Sequence, residues 1–593
     1  MTFDFYYTLI LFVILTFLLI KEVLPPEISI FSVLLLLLIG NVITVKEAFS
    51  GFSNEGMLTI GLLFAISGAL QSTGVLNSFI NFILKGSRKN GIQGLLLRLL
   101  LPIAFLSAFL NNTPIVAMII SPLKRWSEQN NLSISKFLIP ISYAAILGGM
   151  CTLIGTSTNL IVHGLMIENG YSGFGFFELS KIGIPIAIIG LVYLTFFSSK
   201  ILPQSKTVTS EIEQNSRDYV IELKVKNEYQ FIGQTIENAG LRHLKGLYLF
   251  QIERGNKIIS PTSPNEIIKL DDRLFFTGLP QTILELQKTP GLEIIEDLNF
   301  DLKNYDSERL KTFEVVISPS SPLINQRINK SNFREKYNAV IIAIHRNGER
   351  IREKIGNINL RVGDTLLLLS DKQFKNRWYN SKDFYLVSEL TGVPSKPKWH
   401  AFFSATVFIV ALVLSFSGLV PLISAMGIAA VALVLSGTLS KENVILSIDW
   451  KVLLIIASSF GIAIAMEKSG VGGFFAEGLM GVSQNFGMIG IIAGVYLTTA
   501  IYTNFITNNT AAVLMFPIAF SIALKLNVDI HPLAVAIALG ASSSFATPIS
   551  YQTNLMVYGP GNYKFRDFVN VGMPMQLVTF VIAVPLIYAF YYL

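Results

Sequence analysis

Two stretches about 397 residues apart nearly repeat each other, and each sets a polar Asn-Asn-Thr inside apolar sequence. The first reads FLNNTPIVAMIISP, with Asn111, Asn112 and Thr113; the second reads FITNNTAAVLMFPI, with Asn508, Asn509 and Thr510. Each is followed by a second polar knot, GTSTNLIVHG at 155–164 and SYQTNLMVYG at 550–559. Polar, Gly- or Pro-broken backbone at membrane depth survives only where protein or a water-lined cavity satisfies it. A pair of such breaks in matching halves of an apolar chain is the best sequence pointer to a transporter's binding site. Two further landmarks keep the register: GALQSTGV (68–75) with IAMEKSGV (464–471), and FFELSKIGIP (176–185) with FRDFVNVGMP (565–574), all at spacings of 389 to 397. Chance similarity of apolar runs would not hold register across four landmarks. The chain therefore reads as an internal duplication.

Charge divides it further. Only 14% of the 593 residues are charged, too few for a soluble protein of this length. Residues 204 to 399 carry 29 of the 46 Lys/Arg and 25 of the 39 Asp/Glu, whereas the remaining 397 residues hold 31 charges. The expected organisation is a membrane repeat at 1–203, a soluble insert at 204–299 and 300–399, and a second membrane repeat at 400–593. The basic excess reflects membrane orientation and does not call for nucleic acid.

Apolar runs long enough to cross a bilayer fall near 7–22, 28–45, 56–74, 137–165 and 183–200, and again near 401–418, 421–439, 450–467, 531–557 and 570–593. Two longer segments, 92–122 and 486–524, hold the triplets and read as re-entrant hairpins with the triplet at the tip. Five spans per half, about ten in all, invert the second repeat relative to the first. With the insert cytoplasmic, Lys21, Lys85, Arg88, Lys89, Arg98, Lys124, Arg125, Lys136, Lys200, Lys441, Lys451, Lys564 and Arg566 fall inside. Only Lys46, Lys181, Lys468 and Lys525 fall outside, the bias the positive-inside rule expects. The run Tyr7 to Ile20 lacks a basic n-region and has a repeat partner at 401–418, so it reads as retained structure and not a signal peptide. The single cysteine, Cys151, excludes an intramolecular disulfide.

The polar knots limit the chemistry. An ion entering low dielectric needs a ligand cage, because the idealised Born cost is of order 20 kcal/mol. Asn-Asn-Thr at a broken helix offers side-chain carbonyls to a cation, and amide N–H groups and a hydroxyl to an anion. Pro114 suits the first turn of a new helix. Helix packing through Asn, Ser and Thr would explain one such motif. It does not explain four in two matched pairs. Acidic residues sit at the ends of the apolar runs (Glu22, Glu47, Glu55, Glu128, Asp449, Glu467), away from the centres where a proton relay would place them. The cage is neutral, and the five histidines (163, 243, 345, 400 and 531) do not cluster. No nucleophile–base pair or metal-ligand spacing marks an enzyme.

With these motifs the chain resembles the divalent anion:sodium symporters, part of a wider ion-transporter superfamily that includes citrate and arsenite carriers. Members usually show Ser-Asn-Thr at the tips, and this chain has Asn-Asn-Thr at both. The resemblance implies a homodimer whose transport domain moves against a scaffold like an elevator. It implies a first sodium site at Ser107, Asn111, Asn112 and the Gly155 carbonyl, and a second at Asn504, Asn508, Asn509 and the Ser550 carbonyl. Ala546-Thr547-Pro548 precedes Ser550, so Ala546 competes with it for the last place. The substrate would lie between the tips against Asn112, Thr113, Asn509 and Thr510, with Thr156 or Tyr551 nearby.

Within the insert, 216–290 and 311–378 read as two copies of one small α/β module: a β-rich run, a polar turn, an Ile-containing helix, and strands again. SPLINQRI (321–328) and RVGDTLLLLS (361–370) resemble RCK-C (TrkA-C) domains, which implies a dimerising or ligand-sensing regulator. No Gly-rich phosphate loop identifies a nucleotide.

The expectation is an all-α polytopic membrane protein with a cytoplasmic α/β insert in the inner (plasma) membrane. It would couple inward sodium flow to uptake of a divalent oxyanion, sulfate first and a dicarboxylate or citrate second. An ion channel gated by the insert is the reading from another class. Sodium is the expected coupling ion, without an organic cofactor; lipid, a second copy and a small cytoplasmic ligand at the modules are the expected partners.

Overall fold

The structure, a computed structural model, describes residues 2–21, 23–73, 91–130, 132–204, 220–241, 247–255, 257–259, 265–278, 289–294, 310–318, 321–346, 349–351, 353, 355–371, 373–378, 381, 383–386, 398–440, 444–445 and 447–593. Glu22, Gly74, Val75, Lys85, Arg88, Lys89, His243 and Lys441, used above, lie outside the described residues.

The first half folds as α1 (Phe3–Ile20), α2 (Pro26–Ile39), α3 (Glu55–Ser72), α4 (Gly91–Ser107), α5 (Asn112–Gln129), α6 (Leu138–Gly149), α7 (Ser157–Glu168) and α8 (Ser180–Tyr193). Local chemistry sets several boundaries. Pro26 stands at the first helical position of α2 and Gly40 follows its end. In the second half, after the insert, come α9 (Lys398–Phe416), α10 (Leu422–Leu435), α11 (Trp450–Lys468), α12 (Val471–Ser483), α13 (Gly487–Thr503), α14 (Asn508–Leu526), α15 (His531–Ser542), α16 (Gln552–Tyr558) and α17 (Phe565–Tyr592). Leaving out α12, which aligns with sequence outside the described residues, α9 to α17 repeat α1 to α8 in order.

Among the described residues, six helices are long and apolar enough to cross a membrane: α1, α8 with its continuation to Ile201, α9, α11, α14 and α17. The other apolar helices are shorter. Two expected spans, 137–165 and 531–557, each come as a pair, α6–α7 and α15–α16. Their polar knots cannot complete a helical ladder, so the chain stops and restarts there. One apolar cluster runs through both halves. Phe3, Ile10, Val13 and Phe17 of α1, Phe402, Ile409 and Val413 of α9, and Leu577 and Val581 of α17 are exposed. Apolar stripes of this extent are surfaces for a bilayer or another chain to cover.

The insert holds two five-stranded antiparallel sheets. The first comprises β1 (Val220–Val225), β2 (Leu247–Arg254), β3 (Lys257–Ile259), β4 (Arg273–Gly278) and β5 (Leu292–Ile294), in the order β3-β2-β4-β1-β5. The second comprises β6 (Leu310–Ile317), β7 (Ala339–Arg346), β8 (Glu349–Arg350), β9 (Thr365–Asp371) and β10 (Phe384–Leu386). Its order, β8-β7-β9-β6-β10, is the same one strand for strand. Both copies carry a bulge in the second strand, between Leu249 and Gln251 and between Ile341 and Ala343. Both lock the acidic turn before the fourth strand with an arginine fork. Arg254 Nε and Nη2 donate to Asp272 at 2.8 and 2.9 Å, and Arg346 donates to Asp364 at 2.7 Å through both nitrogens. Each fork also ties to a backbone carbonyl, Ile267 or Asn359. Bidentate charged bonds hold both arginines above their ordinary pKa.

The expected Ile-containing helix is absent among the described residues of the first module, where 226–241 form turns. In the second module that region is a 3-10 turn (Ile328–Lys330) and a five-residue helix (Phe333–Tyr337). Gly233 and Gly240 in the first, and Asn332 and Asn338 in the second, take left-handed conformations that interrupt a helix.

Candidate transport site

Both triplets lie where one helix stops and another starts. α4 ends at Ser107 and α5 begins at Asn112; α13 ends at Thr503 and α14 begins at Asn508. The breaks close alike, with Leu110 N donating to Leu106 O and Ile506 N to Tyr502 O, each at 2.9 Å. They differ at the cap. Thr507 Oγ1 accepts from Thr510 N at 3.4 Å and pairs with Thr510 Oγ1 at 2.8 Å, whereas Asn111 Oδ1 accepts from Thr113 N at 3.5 Å.

The polar knots between α6 and α7 and between α15 and α16 share one scaffold. Asn159 Nδ2 donates to the Gly149 and Thr152 carbonyls at 3.2 and 2.8 Å. Asn554 Nδ2 donates to the Ser544 and Thr547 carbonyls at 2.8 and 3.2 Å. All three positions match at an offset of 395 residues, the separation of Thr156 and Tyr551, which precede α7 and α16. The same offset aligns Ser550 with Gly155 and leaves Ala546 out of register.

The tips then cross between repeats. Asn112 Nδ2 donates to Tyr551 OH at 2.6 Å, and Thr113 Oγ1 to Gln552 Oε1 at 2.9 Å. Reciprocally, Ser157 and Thr158 donate to Asn509 Oδ1 at 2.9 and 3.2 Å, and Asn508 Nδ2 donates to Thr158 Oγ1 at 3.0 Å. Thr156 Oγ1 and Tyr551 OH, 3.4 Å apart, join the two knots. The N-termini of α5, α7, α14 and α16 are thus linked in one polar network. The N-terminal end of each of the longer helices α5, α7 and α14 carries about half an elementary positive charge, so the gathering favours an anion without a formal cation.

The expected residues fall into unequal groups. Ser107 Oγ donates to Asn112 Oδ1, and both residues are buried. A Cβ built on Gly149 would lie 3.1 Å from the Asn112 side-chain oxygen and nitrogen and 3.1 Å from the Gly155 carbonyl. The missing side chain leaves a small cradle of hydroxyl, amide oxygen and carbonyl. Asn111 lines an adjoining cavity of about 30 Å³ with Gly155, Thr156 and Ser157, room for a water or two. Asn504 stands apart: its Nδ2 donates to Ala500 O at 2.6 Å and to Gln576 Oε1 at 3.3 Å, and its buried Oδ1 has no partner. Thr510 is occupied in its own helix cap, and Ser550 Oγ donates to the Ser544 and Thr547 carbonyls. His163 accepts from Phe174 N at 2.9 Å, a packing role.

Gly149 was not singled out from sequence; Ser157, Thr158, Asn159, Gln552 and Asn554 were read only as parts of the two polar knots, without their partners. The shared Thr-Asn-Leu of the two knots was the signal that could have found the scaffold asparagines.

A duplicated helical fold around paired, uncharged breaks defines a secondary anion transporter. The profile of the citrate transporter family matches residues 15–540 and 495–593, and the chain belongs to that family: it is a transporter, not an enzyme. A protein of Chlamydomonas reinhardtii described as a putative sulfur deprivation response regulator is 36% identical over 578 residues, covering 96% of this chain and 98% of its own. An uncharacterized transporter of Synechocystis is 31% identical over 584 residues, covering 95% and 94%. Sodium/sulfate cotransporter 1 of Chlamydomonas reinhardtii is 25% identical over 767 residues, covering 94% and 86%.

Proposed function

We propose that this protein couples inward sodium movement to uptake of a divalent oxyanion, with sulfate as the substrate. The observation that carries the reading is the linked set of four helix N-termini closed by neutral hydroxyls and amides, without a carboxylate among the side chains that close it. Sulfate offers oxygens to such donors and asks for no Arg fork. The names of the sodium/sulfate cotransporter relatives agree with both coupling ion and cargo. The first sodium would be held by Ser107, Asn111, Asn112 and the Gly155 carbonyl around Gly149; the second by Asn504, Asn508, Asn509 and the Ser550 carbonyl. The anion would meet Asn112, Thr113, Asn509 and Thr510, with Thr156 and Tyr551 beside it.

The chain would work as a homodimer in the plasma membrane, carrying its site by an elevator motion, with its RCK-C-like modules on the cytoplasmic side. A di- or tricarboxylate is the second reading, favoured by the citrate transporter profile. In proteoliposomes, labelled sulfate uptake should require an inward sodium gradient, with excess succinate or citrate competing weakly. Uptake driven equally by a proton gradient defeats the coupling. Competition by citrate at lower concentration than sulfate itself selects the carboxylate reading.

A further inference from the structure

The two modules wire one carboxylate differently. Glu222 on β1 and Glu314 on β6 hold equivalent places, opposite Phe275 and Leu367 on the neighbouring strand. Both are buried. Glu222 pairs with Arg273 of its own sheet. The second module has Thr365 at the place of Arg273, and Glu314 pairs instead with Lys124 of α5, Nζ to Oε2 at 2.5 Å. Lys124 is also buried.

Around that pair the sheet is seated on the membrane half. Val316, fully buried, joins the apolar cluster of the helices and not the core of its own sheet. A Cβ on Gly559, just after α16, would lie 1.9 Å from Thr365 Oγ1. One on Gly363 would lie 3.2 Å from Leu555 Cδ1 and 3.7 Å from Tyr558 Cδ1. The second sheet therefore holds the far ends of α5 and α16, the two helices whose N-termini meet through Asn112–Tyr551 and Thr113–Gln552. Lys124 lies about 18 Å along α5 from Asn112 at 1.5 Å per residue.

We propose that Lys124 and Glu314 are positioning residues for the anion site: by anchoring both rods at one end, the second module sets how their N-termini meet at the other. This rests on the reading that Asn112 and Tyr551 border the anion. Coupling of this kind is reciprocal, so the anion must in turn favour the docked sheet.

The full chain in proteoliposomes, with sodium sulfate as the probe, tests it. Glu314→Gln and Lys124→Met should each raise the sulfate KM about tenfold while maximal uptake stays within twofold. The exchange Lys124→Glu with Glu314→Lys should bring KM back to within about threefold of the original. Single variants with an unchanged KM, or an exchange no better than the singles, overturn the proposal. Hydrogen exchange on the unaltered chain gives a second reading independent of how the variants fold: sodium sulfate should slow exchange in residues 313–317 several-fold. No such slowing overturns the coupling. If Asn112→Ala transports sulfate like the unaltered chain, the reading of the anion site has failed instead.

Discussion

The two half-sites share a backbone and differ in what they leave open. Asn159 and Asn554 brace their knots through matched pairs of carbonyls, yet the residue at the head of each brace is Gly149 in one half and Ser544 in the other. Gly149 leaves space facing Asn112 and the Gly155 carbonyl. Ser544 fills the matching place with a hydroxyl that pairs with Thr503 Oγ1 at 2.7 Å. Ser107 bonds Asn112 within its hairpin, whereas its counterpart Asn504 turns to Ala500 and Gln576. Duplication has kept the frame and let the chemistry diverge. The two cation positions implied by the family pattern should therefore differ in affinity, the first being the better formed.

The largest effect should come from the tips. Asn112→Ala strands the buried Ser107 hydroxyl, at about 1–3 kcal/mol, and leaves Tyr551 OH with only its longer contact to Thr156. It should cut sodium-driven sulfate uptake by about a hundredfold or more. Asn509→Ala removes an acceptor from Ser157 and Thr158, hydroxyls that can turn to other acceptors, and should cost about ten- to a hundredfold. Uptake measured side by side decides; equal losses would remove the asymmetry, and full activity in either variant would take that tip out of the site.

A smaller effect isolates the cradle. Gly149→Ala puts a methyl 3.1 Å from the Asn112 amide and the Gly155 carbonyl, closer than ordinary contact, so both must shift. Half-maximal activation by sodium should move up about tenfold. Ser544→Ala in the other half removes the hydroxyl pair with Thr503 and a bond to the Ala541 carbonyl, adds no bulk, and should move it less than about twofold. Sodium titration of uptake compares the two, and a larger shift from Ser544→Ala would reverse the assignment.

How much of this was legible in sequence follows from what each signal encodes. Helix breaks were visible because Asn-Asn-Thr and Gly-Thr-Ser-Thr-Asn interrupt apolar runs in register, and the duplicated insert showed in its two β-rich runs, each followed by a polar turn and further strands. Partner choice was not. Tyr551 meets Asn112 and Gln552 meets Thr113 across 439 residues, and no periodicity records such a crossing. Nothing in the sequence ties Asp272 and Asp364 to their arginine partners, which lie 18 residues earlier on another strand. The sequence reading also placed a helix where left-handed Asn332 and Asn338 leave room for five helical residues only.

The smallest effect tests a tie between the halves away from the site. Thr44 and Glu47 form a capping box on the short helix Val45–Ala48, and Glu47 Oε1 meets Lys468 Nζ, at the end of α11, at 2.5 Å. The bond from Lys468, then the backbone N–H of Thr44, hold the Glu47 carboxyl down at about 2. A depressed folded pKa means that the ionised form is favoured by folding. The contribution is complete above about 4.5, the unfolded value, and fades as pH falls from there toward 2. Lys468 and Glu47 keep 47% and 28% of their side-chain exposure, so water screens the pair and its worth is about 0.5–1 kcal/mol. Thermal unfolding in detergent should show Glu47→Gln below the unaltered chain at pH 7 by about that amount, with the gap clearly narrower at pH 3. A gap that persists unchanged at pH 3 would assign the loss to packing and not to the carboxylate's charge.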